Sequence, residues 1–267
     1  MAQRILVGIL VLLSALVGID LAGSRTPPSV MVGGTRGDST NSAGIAVPLP
    51  ARPRVGLLPG VTAEPAGAPS LDLMARLAIR RRLEREGNRN YLDSLLASTD
   101  SVLIRWADRP ERRYSVRFTV DTTIAGFSAG ALEDARAGMR AWDANDAGLV
   151  LVETQDTAAT DILVEWVSSL PDSTQLGITK VSWGPGGAIG GAAISLSLGK
   201  RPELAVLPSS LRRRVAAHEF GHALGLPHSG SEDDLMFPTS PRAAPSRRDQ
   251  ASLLLLYSVP PGPLRVQ

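Results

Sequence analysis

All three histidines of this chain lie within one stretch of eleven residues, HEFGHALGLPH, which begins at position 218. His218 and His222 are four residues apart, so on a helix both imidazoles lie on one face and can bind one ion. Zinc takes neutral imidazole nitrogens as ligands in tetrahedral geometry. Glu219 is rotated away from direct ligation, but its carboxylate can reach a water on the metal and act as a general base. The spacing therefore predicts a zinc site with its own catalytic base.

A third ligand is expected from the residues after this helix. Gly225 comes three residues after His222 and can adopt a positive φ, which ends the helix and turns the chain. Pro227 does not readily continue a helix. The turn brings His228 back toward the same ion as third ligand. The fourth position then stays open for water, as a catalytic zinc site requires.

The hydrophobic pattern indicates the elements that must position these residues. RYSVRFTV alternates with the period of a strand, and SAGALEDARAGMRAWDAN has the period of a helix that Ser128 can cap. The strand places Tyr114, Val116, Phe118 and Val120 on one face. The predicted buried stripe of the helix consists of Leu132, Ala135, Met139 and Trp142.

Further strands are predicted at GLVLVET, at TDILVEWV and on both sides of the Gly- and Pro-rich turn in LGITKVSWGPGGAIGGAAISLSLG. The histidine helix begins at Ser209 or Ser210. A loop over residues 229–245 leads to a final helix, SRRDQASLLLLYSV, in which Ser246 and Asp249 have the spacing of a capping box.

The first hundred residues predict three segments that precede the catalytic unit. Residues 1–24 contain one early arginine, an apolar run and small residues after it, which is typical of an export signal. A membrane anchor over residues 5–22 and a buried core helix are the alternatives. Residues 25–69 are rich in Pro, Gly, Ser and Thr and predict a flexible linker. Residues 70–100 predict a helical pro- or spacer segment, and residues 101–260 the catalytic domain.

The composition excludes several other kinds of chemistry. The chain has no cysteine, so disulfides, thiol catalysis and thiolate metal sites are absent. Its formal net charge is only +2, and the basic run RRRLERE has the alternating charges of a solvated helix face. We therefore expect no nucleic-acid partner, and contact with a membrane only through an N-terminal anchor.

The histidine stretch resembles the metzincin zinc endopeptidases, whose pattern is H-E-x-x-H-x-x-G-x-x-H followed by a methionine turn. Met236 lies eight residues past His228, where the methionine turn is expected. The residue after the third histidine is Ser229, and in this respect the chain resembles the matrixin subfamily of the metzincins. LMFP is similar to the matrixin methionine turn, and SRRDQASLLLLY to its final helix. The resemblance implies an α+β, metzincin-like zincin fold. Its features are a twisted, mostly parallel sheet with an antiparallel edge strand, an active-site helix and a C-terminal helix.

By this resemblance the protein is expected to be a secreted or otherwise extracytoplasmic zinc endopeptidase that acts on proteins or peptides as a monomer. PGGAIGGAAISL looks like the matrixin strand that runs along the substrate cleft. Gly225 and Met236 would support the ligands structurally. The residues expected to contact substrate are Gly190, Gly191, Ala192, Ala193, Phe237, Pro238 and Thr239.

One catalytic zinc ion is expected. A second, structural zinc of the kind found in animal matrixins is not expected, because its ligands are other histidines and this chain has none. Structural calcium is doubtful, because Asp172 is the only acid among residues 168–200. The cysteine-based latency of the matrixin family cannot operate here, because this chain has no cysteine. The alternative function is a non-catalytic zinc protein that binds peptides without turnover, although the presence of Glu219 argues against it.

Overall fold

The computed structural model describes residues 8–15, 89–99, 102–172, 174–199 and 206–263, and in addition residues 74, 77, 78, 81, 82 and 85. The predicted linker over residues 25–69 lies outside the described residues. The six separate residues are helical, as the pattern of residues 70–100 predicts.

Seven strands form the main sheet. They are β1 (Gly8–Ala15), β3 (Arg105–Trp106), β4 (Arg113–Phe118), β5 (Val150–Glu153), β6 (Ile162–Val167), β7 (Gln175–Trp183) and β8 (Ala188–Ser197). Their order is β1-β7-β8-β6-β4-β5, and β3 pairs with the start of β8. The pairs among β3, β4, β5, β6 and β8 are parallel, whereas β7 runs antiparallel to both β8 and β1. A small second sheet pairs β2 (Val102–Leu103) with β9 (Gly262–Pro263).

Alternating burial explains the central strands. Tyr114, Val116 and Phe118 of β4 face the core, as the alternation in the sequence predicts. Val120, which the alternation places on the same face, is 57% exposed, because β4 ends at Phe118 and the chain leaves the sheet there. Ile162, Val164 and Trp166 of β6 are buried in the same alternating way.

Among the helices whose bounds lie within the described residues, four α-helices accompany the sheet: α1 (Leu92–Ser98), α2 (Ala129–Arg140), α3 (Ser209–Ala223) and α4 (Arg247–Tyr257). Both predicted caps are confirmed. The Ser128 side chain accepts a hydrogen bond from Ala131 N at the start of α2, and Ser246 and Asp249 form a capping box at the start of α4. α3 packs against α2 on one side and against β7 and β8 on the other. The predicted α+β fold, with a mostly parallel sheet, an active-site helix and a C-terminal helix, is confirmed.

The hydrophobic core includes residues upstream of position 101, where the catalytic domain is predicted to begin. Leu92 and Leu95 of α1 are almost completely buried in the same core as the sheet. The predicted domain bounds stay a prediction, and the short segment LDSLLAS gives no local signal of what it covers.

The N-terminal apolar run also takes part in the fold, since Gly8–Ala15 pairs along the whole of β7. No helix among the residues that the structure describes is both long and apolar enough to cross a membrane. Whether residues 1–24 direct export stays a prediction.

Candidate metal centre

Helix α3 and the turn after it bring the three histidines together. One ring nitrogen from each of His218, His222 and His228 lies within 4.8 Å of the others. His222 Nε2 and His228 Nε2 are 3.2 Å apart. Two nitrogens that bind one tetrahedral zinc at about 2.0–2.1 Å are separated by about 3.3 Å. The donor set therefore fits a zinc ion, and within the described part of the chain it is the one such cluster of three potential ligands.

Backbone carbonyls orient the two helical ligands. Nδ1 of His218 lies 2.7 Å from Leu235 O, and Nδ1 of His222 lies 2.8 Å from Leu226 O. A carbonyl can only accept, so each Nδ1 carries the proton and each Nε2 is left with its lone pair for a metal. Nε2 of His218 is buried and has no hydrogen-bond partner among the residues that the structure describes, as expected for a ligand atom.

The three imidazoles are neutral near pH 7. Burial lowers the pKa of His218 to about 4, although the hydrogen bond to Leu235 O opposes this shift. Burial, and then the neighbouring imidazoles, holds the pKa of His222 well below its usual value, and burial lowers the pKa of His228. Neutral imidazoles are the form that binds zinc.

Gly225 makes the turn that the sequence predicts. Its φ is +96°, and a Cβ at this position would lie 2.8 Å from Ile104 O, so both the backbone angle and the available space require glycine. Its N–H donates to His222 O at 2.9 Å. The chain then returns to place His228 beside the helical pair.

Met236 is fully buried beneath the histidine helix. A Cβ at Gly221 would lie 3.0 Å from Met236 Cε, which shows how closely the methionine approaches α3. Met236 O accepts a hydrogen bond of 2.8 Å from Ser229 N and so ties this turn to the loop that carries the third ligand. Phe237, Pro238 and Thr239 follow as half-buried residues of the next turn.

The Glu219 carboxylate is completely buried and lies against β7. Thr179 Oγ1 donates to Glu219 Oε2 at 2.6 Å and also lies 3.1 Å from the Glu219 carbonyl oxygen. Gly177 leaves room for this side chain, because a Cβ there would lie 2.6 Å from Glu219 Cγ and 2.7 Å from Cδ. Sequence reasoning missed both β7 residues. Residues 177 and 179 share one face of a strand, but nothing in the sequence shows that this face meets the catalytic helix.

The structure corrects the predicted position of the substrate strand. Gly190, Gly191, Ala192 and Ala193 belong to β8, which is paired with β7 on one side and with β6 on the other. Ala192, for example, is opposite both Val181 and Ile162. Ala192 and Ala193 are thus paired on both sides and offer no free backbone edge to a peptide, so the predicted cleft strand lies inside the sheet. The strand beside Glu219 is β7.

Asp249 anchors the methionine turn, a function that the capping-box spacing did not reveal. Its buried carboxylate accepts hydrogen bonds from Leu235 N at 2.8 Å and from Ser246 N at 2.7 Å, and Met236 N lies 3.4 Å away. Since Leu235 O holds the His218 ring, Asp249 acts on the metal centre through a single residue, Leu235.

Comparison with known families agrees with this geometry. The matrixin family model matches residues 209–255, which include α3, all three histidines, Met236 and most of α4. A comparison with curated proteins found no match. The matrixin resemblance is thus confirmed over the zinc-binding region, and together with the histidine cluster it supports a metalloprotease.

Proposed function

From this matrixin-type zinc-binding region we propose that the protein is a zinc-dependent endopeptidase that hydrolyses internal peptide bonds of extracytoplasmic proteins. The observation that supports this most directly is the convergence of three neutral imidazoles, with Glu219 next to His218 on the same helix and its carboxylate held by Thr179. A zinc site with only a structural function needs four protein ligands and no adjacent carboxylate base. Here three histidines converge, and a carboxylate is held one residue along the same helix.

A bound zinc ion would supply a water of lowered pKa and a Lewis acid for the scissile carbonyl. Glu219 accepts the proton of the attacking water and then delivers it to the nitrogen of the leaving amine. Thr179 donates to Glu219 Oε2 and so fixes the plane of the catalytic carboxylate.

The peptide is proposed to bind along the outer edge of β7. The chain's own residues support this, because β1 already lies there as an antiparallel strand, with Ser14 opposite Gly177 and Leu12 opposite Thr179. An extended peptide added to this edge gains backbone hydrogen bonds with little dependence on its side chains. Its reacting bond would lie beside Glu219, which contacts the same two β7 residues. Phe237, Pro238 and Thr239 are proposed to line the pocket for the residue after that bond.

The test is the cleavage of casein and of a quenched peptide by the purified protein, with products mapped by mass spectrometry. The full chain and a chain that lacks residues 1–69 are compared, since the second leaves the β7 edge uncovered. Internal cleavage that a chelator abolishes and added zinc restores would support the proposal. Tight binding of zinc and peptide without any product from either chain would instead favour the non-catalytic alternative.

A further inference from the structure

Helix α1 lies upstream of the region that resembles matrixins, yet it packs behind the metal centre. Tyr91 is 5% exposed and Leu92 is fully buried. Leu95, one turn later, is also buried. The burial of this short helix therefore depends on contacts with elements that are distant along the chain.

The Tyr91 hydroxyl is linked to a metal ligand through the Asp249 carboxylate and the backbone of Leu235. It donates to Asp249 Oδ1 at 2.7 Å, and the other oxygen of that carboxylate accepts from Leu235 N at 2.8 Å. The carbonyl of Leu235 lies 2.7 Å from Nδ1 of His218. Burial, and then the charge of Asp249, raises the pKa of Tyr91 well above its usual value, so the hydroxyl stays protonated and remains a donor. The backbone N–H of Tyr91 adds a second tie to α4 through Ser252 Oγ at 3.2 Å.

A second hydroxyl of the same segment reaches the third ligand. Ser94 Oγ lies 3.1 Å from the carbonyl oxygen of His228 and 2.8 Å from Tyr91 O. The loop that carries His228 is therefore held from α1 on one side, while Ser229 N holds it to Met236 O on the other. Two of the three ligands are thus linked to residues 91–94.

We propose that Tyr91 and Ser94 are positioning residues of the metal centre, acting through Asp249–Leu235 on His218 and through the backbone on His228. The inference rests on the proposed zinc site and extends the functional unit upstream to about residue 90. It follows that a proteolytic cleavage that removes the N-terminal segment and leaves the metal centre intact must cut the chain before Asn90. A protein that starts at residue 101 would lack the residues that position two of the metal ligands.

The test uses Tyr91→Phe and Ser94→Ala in the full chain, each of which removes one hydroxyl. Tyr114→Phe is the matched control for the first, because the Tyr114 hydroxyl bonds Ala107 O at 3.1 Å and has no link to the histidines. Ser98→Ala is the control for the second, because the Ser98 hydroxyl lies on the same helix and bonds only Leu95 O. The measurements are the visible absorption spectrum of the Co²⁺-loaded protein and the zinc dissociation constant from competition with a chromophoric chelator.

Residues that orient metal ligands typically change metal affinity by about 10- to 100-fold when they are removed. We expect Tyr91→Phe to weaken zinc binding by about tenfold and to shift the Co²⁺ bands, Ser94→Ala to do so less, and both controls to match the parent. Lower thermal stability with unchanged affinity and spectrum in both variants would reduce these contacts to ordinary packing and overturn the inference. If Tyr91→Phe does not fold, Ser94→Ala decides, because its side chain is exposed. A parent that binds no Co²⁺ would instead overturn the proposed metal centre, and this inference with it.

Discussion

Gly177→Ala should disable the catalytic base while leaving the metal site intact. Gly177 lies in β7, and the three atoms nearest to a Cβ at this position all belong to the Glu219 side chain. A Cβ at this position would lie 2.6 Å from Glu219 Cγ and 2.7 Å from Cδ, and nearer still to Oε1. Carbon atoms pack best at about 3.5–4.0 Å, so the carboxylate must move by about 1 Å to accommodate the methyl group.

The size of the effect follows from this displacement. A misplacement of about 1 Å at a reacting group costs on the order of 100-fold in rate, and a general base contributes about 10²- to 10⁴-fold in total. We therefore expect kcat/KM to fall by about 100-fold, which corresponds to about 2.7 kcal/mol of transition-state stabilisation. The atoms that must give way form the end of a side chain, so overpacking should reduce the free energy of unfolding by only about 1 kcal/mol.

The assay is cleavage of a quenched peptide, with zinc content measured on the same samples. Gly190→Ala is the matched control, because it adds the same methyl group on the neighbouring strand β8, where the nearest atom is Ser182 O at 4.0 Å. The control should keep its activity, and both variants should hold as much zinc as the parent. Full activity in Gly177→Ala would refute the placement of Glu219 against β7, and loss of zinc would show that the strand supports the ligands instead.

Three further predictions concern the hydrogen bond of Thr179, the ion pair of Asp161 and the strand that covers β7. Thr179→Val removes the hydroxyl that donates to the Glu219 carboxylate. A hydrogen bond to a charged group contributes about 1.5–3 kcal/mol, so kcat for peptide hydrolysis should fall by about tenfold or more. Thr179→Ser keeps the hydroxyl and should retain most of the parent's kcat. Burial raises the pKa of Asp161, but hydrogen bonds and the charge of the Arg109 guanidinium outweigh it, so the pKa is lowered overall. The ionised carboxylate therefore stabilises the folded state above about pH 4, and this stabilisation is lost as the pH falls through the folded-state pKa. Asp161→Asn should therefore lower the free energy of unfolding in denaturant titrations by about 2 kcal/mol at pH 7, and the difference from the parent should shrink below about pH 4. Removing residues 1–69 takes away the strand paired with β7 and should raise kcat/KM for an extended peptide; equal values for both chains would show that this edge is not the binding site.

The residues of the metal centre could be predicted from the sequence because their geometry is local. Helical spacing fixes where His218, Glu219 and His222 point, and a glycine followed by a turn fixes where His228 returns. Each of these inferences spans no more than a few residues. The caps of α2 and α4 were predictable for the same reason.

The parts that the sequence could not supply depend on neighbours that are distant along the chain. A strand pattern does not reveal which strand lies at the edge of a sheet, and β8, which the sequence favours as the cleft strand, lies inside it. Thr179 meets Glu219 across 40 positions, and Tyr91 meets Asp249 across 158. Such contacts are set by how the elements stack, and the local pattern around either partner gives no signal of the other.

The most direct test of the central claim compares Glu219→Ala and Glu219→Gln with the parent at matched zinc occupancy. Both variants keep all three histidines and remove the base, so the account predicts unchanged zinc affinity and a loss of about 10²- to 10⁴-fold in kcat for peptide hydrolysis. Hydrolysis by zinc-loaded Glu219→Ala at the rate of the parent would contradict the account and show that this carboxylate is not the base.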